Sequence, residues 1–258
     1  MINLQDNRVF VTGGSSGIGR AVAELLAENG AKVVLADIAD ASDVAEDIHA
    51  HYLRCDVSDE QSVRLALESA TQVLGGKLNT VILNAGVGDV GPTLQQSSQD
   101  LIDKITRINQ WGVLYGLKHA PDYMEDNGSI IATSSMASVL SMPGTGVYSA
   151  AKAAVNSMVS MAALELGSRG IRVNSICPGY VNTELGNSVE EQRISQVFTA
   201  LGRHAEPKED IAGVFLFLAS AASQYITGQS LQVDGGWRSG PTTELLKVVT
   251  GTDQTPGS

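Results

Sequence analysis

Short β-branched, apolar runs alternate with amphipathic stretches over most of the chain. The runs at Arg8–Thr12, Lys32–Asp37, Tyr52–Asp56, Thr80–Asn84, Ser129–Ser134, Arg172–Pro178 and Ser230–Val233 predict strands. Several, such as Val33-Val34-Leu35-Ala36 and Val81-Ile82-Leu83, are apolar at every position, which is expected of strands covered on both faces. Between them apolar residues recur at helical spacing, as in Val22/Leu25/Leu26 and Val63/Leu67/Ala70/Leu74. This alternation predicts an α/β fold: one doubly wound domain, a seven-stranded parallel sheet with right-handed crossovers and helices on both faces. No linker divides the chain, so residues 1–241 read as a single domain. Two segments break the rhythm. Residues 184–206 are polar, carry Glu184, Glu190, Glu191 and Arg193, and read as a helical excursion or mobile flap. Residues 242–258, ending VTGTDQTPGS, read as a polar tail expected to fray.

Composition narrows the function classes. A 258-residue chain that is 43% apolar can bury a large core. Its formal charge of −11 would repel phosphate backbones, so no nucleic-acid partner is expected. The longest apolar run, Ile211 to Ala222, is broken by Gly213 and Ser220 and is too short to span a bilayer. The N-terminus MINLQDNRVFVTGG lacks a basic segment followed by an apolar one, so no secretory signal and a cytoplasmic location are expected. Cys55 and Cys177, late in two predicted strands, are then expected to be buried free thiols. The histidines offer no paired spacing beyond His49-x-His51, so no metal site is expected.

The chemistry begins after the first strand. Thr12-Gly13-Gly14-Ser15-Ser16-Gly17-Ile18-Gly19 joins it directly to a helix. Glycines let backbone turn sharply beside an anion, and the helix start offers free N–H groups and a positive dipole end to a pyrophosphate. The spacing is G-x-x-x-G-x-G. Asp37 ends the second strand, where a carboxylate accepts hydrogen bonds from an adenosine ribose and repels a 2′-phosphate. The glycine loop holds no Lys or Arg and Ile38 follows the acid, so NAD rather than NADP is expected. An Asp merely capping the next turn is the plainer alternative.

These residues, with further motifs in order from Asp6 to Trp237, resemble the compact branch of the short-chain dehydrogenase/reductase family, whose chains are about this length. Thr12-Gly13-x-x-x-Gly17-Ile18-Gly19 is similar to its cofactor turn, Asp56-Val57 to its adenine-contacting pair, and Asn84-Ala85-Gly86 to its strand-stabilising triplet. Asn109-Gln110-Trp111-Gly112, Ser135, Tyr148-x-x-x-Lys152 and Asn174-x-x-x-Pro178-Gly179-x-x-x-Thr183 follow, then Gly228 and Asp234-Gly235-Gly236. The resemblance implies a Rossmann-type fold and a catalytic tetrad of Asn109, Ser135, Tyr148 and Lys152. It also implies cofactor contacts from Gly13, Ser15, Ser16, Gly17, Ile18, Gly19, Asp37, Asp56 and Val57. Asn84, Ala85, Gly86, Tyr148, Lys152, Pro178, Gly179, Val181 and Thr183 complete that set. Asn109 would hold a water relaying protons to bulk solvent, and the Pro178-Gly179 turn and Thr183 would fix the nicotinamide carboxamide.

Tyr148 and Lys152 lie four apart and share a helix face. A tyrosine is ordinarily protonated at neutral pH. An adjacent ammonium and the positive nicotinamide favour the phenolate and bring Tyr148 towards a general-base pKa. Only its separation from Tyr148 singles out Ser135 over Ser134, and Asn109 alone would read as satisfying backbone at a helix irregularity. Ser138 departs from the family, which often has glycine there; a side chain at that point would narrow or polarise the pocket. The substrate walls fall in residues 87–92, 139–145 and 180–201. They mix Leu140, Met142, Tyr180 and Leu185 with Asp89, Asn182, Glu184 and Asn187. That mixture suits a small polyol, sugar or cyclic secondary alcohol. Arg193 and His204 read as solvated rather than as an anion site. A non-catalytic NAD-binding sensor is the alternative, one that has no need of Ser135, Tyr148 and Lys152 in register. The helix after Tyr148, with Ala150, Ala151, Ala153, Ala154, Met158, Met161 and Ala162, is more apolar around its circumference than one sheet contact needs, which predicts a partner helix. The resemblance implies a homotetramer, with Asp234-Gly235-Gly236 near a second interface.

Overall fold

The computed structural model describes residues 2–88, 91–184 and 188–251. Its strands are β1 (Arg8–Thr12), β2 (Lys32–Asp37), β3 (His51–Arg54), β4 (Leu78–Leu83), β5 (Met124–Thr133), β6 (Arg172–Pro178) and β7 (Ser230–Val233). They form one sheet in the order β3-β2-β1-β4-β5-β6-β7, and every pairing is parallel. The helices are α1 (Gly17–Glu28), α2 (Ser42–Asp47), α3 (Glu60–Val73), α4 (Gln99–Ile105), α5 (Gly112–His119), α6 (Gly146–Leu166), α7 (Val189–Phe198), α8 (Gly213–Ala219) and α9 (Thr243–Thr250). A π-helical turn over Thr106–Trp111 joins α4 to α5.

Alternate residues of each inner strand feed opposite layers, which explains the continuously apolar runs. Phe10, Val34, Ala36, Val81 and Leu83 pack with α3, α5 and α6. Val9, Val11, Val33, Leu35 and Ile82 pack with α1, α2 and α8 on the other face. The chain starts in mid-sheet, winds outward through β2 and β3, then returns to place β4 on the far side of β1. Where the winding reverses, the carboxyl ends of β1 and β4 diverge and open a crevice.

The strand boundaries differ from expectation in three places. β4 starts at Leu78 rather than Thr80 and ends at Leu83 rather than Asn84. β3 stops before Cys55 because the Asp56 backbone leaves the ladder: its N–H donates to Ser62 Oγ, and its carboxylate accepts from Ser58 N and Oγ at 2.9 and 2.7 Å. β5 starts earlier, at Met124. Its pairing with β4 shifts register between Leu78 and Thr80, across polar residues where Asn127 takes φ of 62°. Residues 184–206 hold a helix, α7, started by a reciprocal cap in which Ser188 Oγ accepts from Glu191 N and Glu191 Oε2 accepts from Ser188 N. A bridge between Val181 and Ala205 closes the base of this excursion. The tail does not fray at Thr242. Thr242 caps α9 through Leu245 N and donates to the Val197 carbonyl, docking α9 on α7; residues 252–258 lie outside the described residues. Both cysteines are buried and free, Cys177 within β6 and Cys55 just beyond β3. Among the described residues no helix is long and apolar enough to cross a membrane.

Candidate active site

The crevice deepens into a cavity of about 650 Å³. All the residues expected to bind cofactor or act in catalysis line it except Gly19. Gly19 serves packing instead: a Cβ there would sit 1.9 Å from the Gly13 carbonyl oxygen and 2.5 Å from Asn84 Nδ2. Gly13 itself has φ of 67°, and a Cβ on it would fall 2.7 Å from Ala85 Cα. The turn therefore accepts no side chain at either position. Ser16 stands at the N-cap of α1 in extended conformation, yet its side chain makes no capping bond and the first turn carries no acid. The N–H groups at the start of α1 thus face the cavity with their charge preference intact.

At one end of the cavity lies Asp37, its Oδ2 accepting from Ser15 N and Oγ at 3.0 and 2.7 Å and its Oδ1 from Ala39 N at 3.1 Å. It both shapes the glycine turn and faces the cavity. The sheet also sets Arg54 in register with Asp37, and Arg54 donates to the Ile38 carbonyl at 2.9 Å. This cation beside the acid was not legible in the sequence, because strand pairing and not proximity along the chain brings it there. Asn84 fastens three strand ends. Its Nδ2 donates to the Gly13 carbonyl, its Oδ1 accepts from Thr133 Oγ1, and its N–H reaches Thr12 Oγ1.

At the other end Ser135, Tyr148 and Lys152 converge. Lys152 is buried, donates from Nζ to the Thr133 carbonyl at 2.8 Å and lies 5.8 Å from the centre of the Tyr148 ring. Burial pulls its pKa down to about 8. Tyr148 shifts the other way. Burial of the phenol raises its pKa, and a hydrogen bond with Ser135 only partly offsets that. The protein alone therefore does not lower the Tyr148 pKa as expected from the neighbouring lysine; the expectation counted the ammonium and left out the cost of burying the phenolate. Ser134 and Ser135 separate cleanly: Ser134 Oγ is spent on the Lys152 carbonyl at 3.0 Å, leaving Ser135 to the phenol. Asn109 sits fully buried in the π turn, with Oδ1 accepting from Val87 N at 2.9 Å and Nδ2 donating to the Val87 carbonyl at 2.8 Å. Its side chain fixes the loop after β4.

Over this centre lies Tyr180, stacked on His204 with ring centres 5.3 Å apart and tilted against Trp237 at the same distance. Of the expected substrate walls, Met142, Tyr180 and Glu184 line the cavity, whereas Leu140 and Asn182 do not; Asp89, Leu185 and Asn187 lie outside the described residues. His204 is buried behind Tyr180 with Nδ1 3.0 Å from Asn182 Oδ1 rather than solvated, and Arg193 is exposed. Ser138 does not narrow the cavity; its hydroxyl turns inward to the Ser135 carbonyl. Asp234-Gly235-Gly236 packs within the chain, where a Cβ on Gly236 would meet Ala200 at 2.9 Å.

A doubly wound sheet with an anion cradle at its switch point and a serine, tyrosine and lysine in one cavity defines an oxidoreductase of the nicotinamide-dependent Rossmann class. The chain belongs to the short-chain dehydrogenase/reductase family. A family model described as enoyl-(acyl carrier protein) reductase matches residues 13–238. The chain is 39% identical to a 2,5-dichloro-2,5-cyclohexadiene-1,4-diol dehydrogenase of Sphingobium indicum, over 90% of this chain and 96% of that one. It is 36% identical to a cis-4-hydroxycyclohexanecarboxylate dehydrogenase of Sinomonas cyclohexanicum, over 88% and 94% respectively. A short-chain dehydrogenase from Burkholderia cenocepacia, solved in complex with NADP, superposes with a TM-score of 0.87 at 30% identity, covering 92% of this chain and 99% of that chain.

Proposed function

We propose that this protein is an NAD-dependent dehydrogenase of neutral, cyclic secondary alcohols, with Tyr148 as general base. The observation that carries the reading is one continuous cavity with Asp37 at one end and Ser135, Tyr148 and Lys152 at the other. Its residues fit a dinucleotide: Asp37 for the adenosine ribose, the uncapped start of α1 for the pyrophosphate, Asp56 and Val57 beside the adenine. Val181, Thr183 and the Pro178-Gly179 turn would hold the nicotinamide end. Bound NAD supplies the hydride acceptor.

The chain's own residues do the rest. Ser135 Oγ holds the alcohol oxygen, and the Tyr148 phenolate takes its proton as the carbon gives up hydride. The Lys152 ammonium would stabilise that phenolate and hold the nicotinamide ribose. Charge selects the substrate. With Asp37 and Asp56 given to the adenosine end, the rest of the described cavity wall carries Glu184 and Glu191 against one cation, Lys152, so a substrate carboxylate would be disfavoured. The aromatic wall of Tyr180 favours a ring. The relatives named for a cyclohexadiene diol and a hydroxycyclohexane acid point to the same ring class, and the charge balance separates the neutral member from the anionic one.

The test is formation of reduced cofactor from NAD with cyclohexanols, cyclic diols and 4-hydroxycyclohexanecarboxylate. Turnover is expected with the neutral alcohols and little with the acid. Tyr148→Phe is expected to cut turnover at least about 100-fold while still binding NADH. A Tyr148→Phe protein with near wild-type turnover defeats the reading, and NAD binding without turnover of any alcohol favours the sensor.

A further inference from the structure

Ser138 forms part of a half-buried chain of hydrogen bonds behind the active site. Its Oγ donates to the Ser135 carbonyl at 2.5 Å and accepts from Asn156 Nδ2 at 2.8 Å. Asn156 Oδ1 accepts from Ser175 Oγ at 2.9 Å, and Ser175 Oγ lies 2.9 Å from Ser230 Oγ. Cys177 Sγ lies 3.7 Å from both Asn156 Oδ1 and Ser138 Oγ. The network links β7, β6, α6 and the 3₁₀ turn Met136–Ser138 that follows Ser135.

The direction of the chain is fixed by donor counting. Ser138 has one hydroxyl hydrogen, and the Ser135 carbonyl takes it, so Ser138 Oγ faces Asn156 only as an acceptor. Asn156 must then present its amide N–H to Ser138 and its carbonyl to Ser175; the flipped amide would set oxygen against oxygen. Asn156 follows Tyr148 and Lys152 at successive four-residue steps on α6 and so shares their face. The helix that carries the base and the cation thus also grips the turn that carries the serine. A single 3₁₀ turn has weak internal geometry. Apart from the hydrogen bond with the Tyr148 phenol, the remaining ties of Ser135 are local to that turn: Ser135 Oγ accepts from Ala137 N at 3.1 Å, and its carbonyl accepts from Ser138 N at 3.0 Å.

We propose that Ser138 and Asn156 are positioning residues, a strut from α6 to the Ser135 turn that sets the Ser135 hydroxyl against the Tyr148 phenol. This rests on the reading of Ser135 and Tyr148 as the catalytic pair. The geometry needs the Ser138 hydroxyl, so the strut is specific to chains that carry serine rather than glycine at this point.

Ser138→Ala is expected to lower kcat about tenfold, a loss in line with a small misplacement of a reacting group, with the KM for NAD within about twofold of wild type. Ser138→Thr, which keeps the hydroxyl, is expected to recover most of kcat. Asn156→Ala cuts the strut from its other end, and the losses of the double variant are expected not to add. A readout independent of turnover is the ultraviolet titration of the Tyr148 phenol, taken as the difference between each protein and its Tyr148→Phe counterpart. Its midpoint is expected to move to higher pH in Ser138→Ala and in Asn156→Ala, and to return in Ser138→Thr. Should Ser138→Ala fail to fold, Asn156→Ala carries the same comparison. An unchanged midpoint in the variants overturns the strut, as does an equal loss of kcat in Ser138→Ala and Ser138→Thr. A wild type that turns over no alcohol defeats the catalytic reading instead, and the phenol titration still decides the strut.

Discussion

Burial raises the Tyr148 phenol above its ordinary value and pulls the Lys152 ammonium down to about 8, so in the protein alone the lysine gives up its proton before the phenol does. The form in which the phenol is ionised and the ammonium retained, favoured by a bound pyridinium, is the one that accepts a proton from an alcohol. The doubly protonated form is the one that gives a proton to a ketone. Oxidation is therefore expected to rise, and ketone reduction to fall, as pH rises through the titration of the phenol with the pyridinium bound. Rate profiles in both directions between pH 6 and about 10 check this; oxidation that declines from 7 to 9 would falsify it. Cofactor choice is a residue-scale matter too. Under the proposed function Asp37 would oppose a 2′-phosphate, while Arg54 stands in register beside it. Asp37→Ala is expected to raise kcat/KM with NADP relative to NAD at least about tenfold, and adding Arg54→Ala to remove most of that gain. A gain that survives loss of Arg54 means another group receives the phosphate.

The elements were legible where one physical signal dominated. β1 and β2 run over their expected residues, because two-sided burial leaves an apolar run, and β6 and β7 match theirs although polar residues interrupt them. β5 was read short, since Glu125-Asp126-Asn127-Gly128 is polar and its place in a bulged strand comes from pairing with β4. α9 replaces the start of the expected tail, and its signals are local: Thr242 at the N-cap and Glu244 in the first turn are ordinary helix starts. The site residues were legible as spacings, but Arg54 beside Asp37 and the bonding of Asn109 to Val87 depend on register and on a π turn that no local pattern encodes. α7 offers a test of how much one element contributes. Its cap joins Ser188 to Glu191, and Glu191 lines the cavity. Ser188→Ala is expected to weaken α7 by about 1 kcal/mol. Faster amide exchange confined to that helix, with a higher KM for the alcohol and an unchanged KM for NAD, is the expected result; a change spread over the sheet counts against α7 as a separable wall.

At the scale of the whole molecule, both faces of the sheet are covered, yet the helical layer is not finished. α6 buries Val155, Val159, Ala162 and Ala163 against the sheet and leaves Met161 56% and Leu164 79% exposed on its outer side. Trp111 and Leu114, in the π turn and α5, are exposed beside it, while β7 forms a sheet edge with the fully exposed Tyr225 just before it. Apolar residues left on adjoining helices, together with an open edge, fit two kinds of contact between copies, as a homotetramer requires. α6 also carries Tyr148 and Lys152, so a partner helix packed on its outer face would stiffen the element that sets their spacing. Light scattering of wild-type protein is expected to give four times the chain mass of 27.0 kDa. Met161→Glu with Leu164→Glu places two carboxylates in the helix contact and is expected to yield a smaller species that stays folded by circular dichroism. That species should bind NADH yet turn over more slowly, because neither residue lines the cavity. A wild type that runs at single-chain mass at micromolar concentration removes the tetramer, and a dissociated variant with full turnover removes the link between assembly and the spacing of Tyr148 and Lys152.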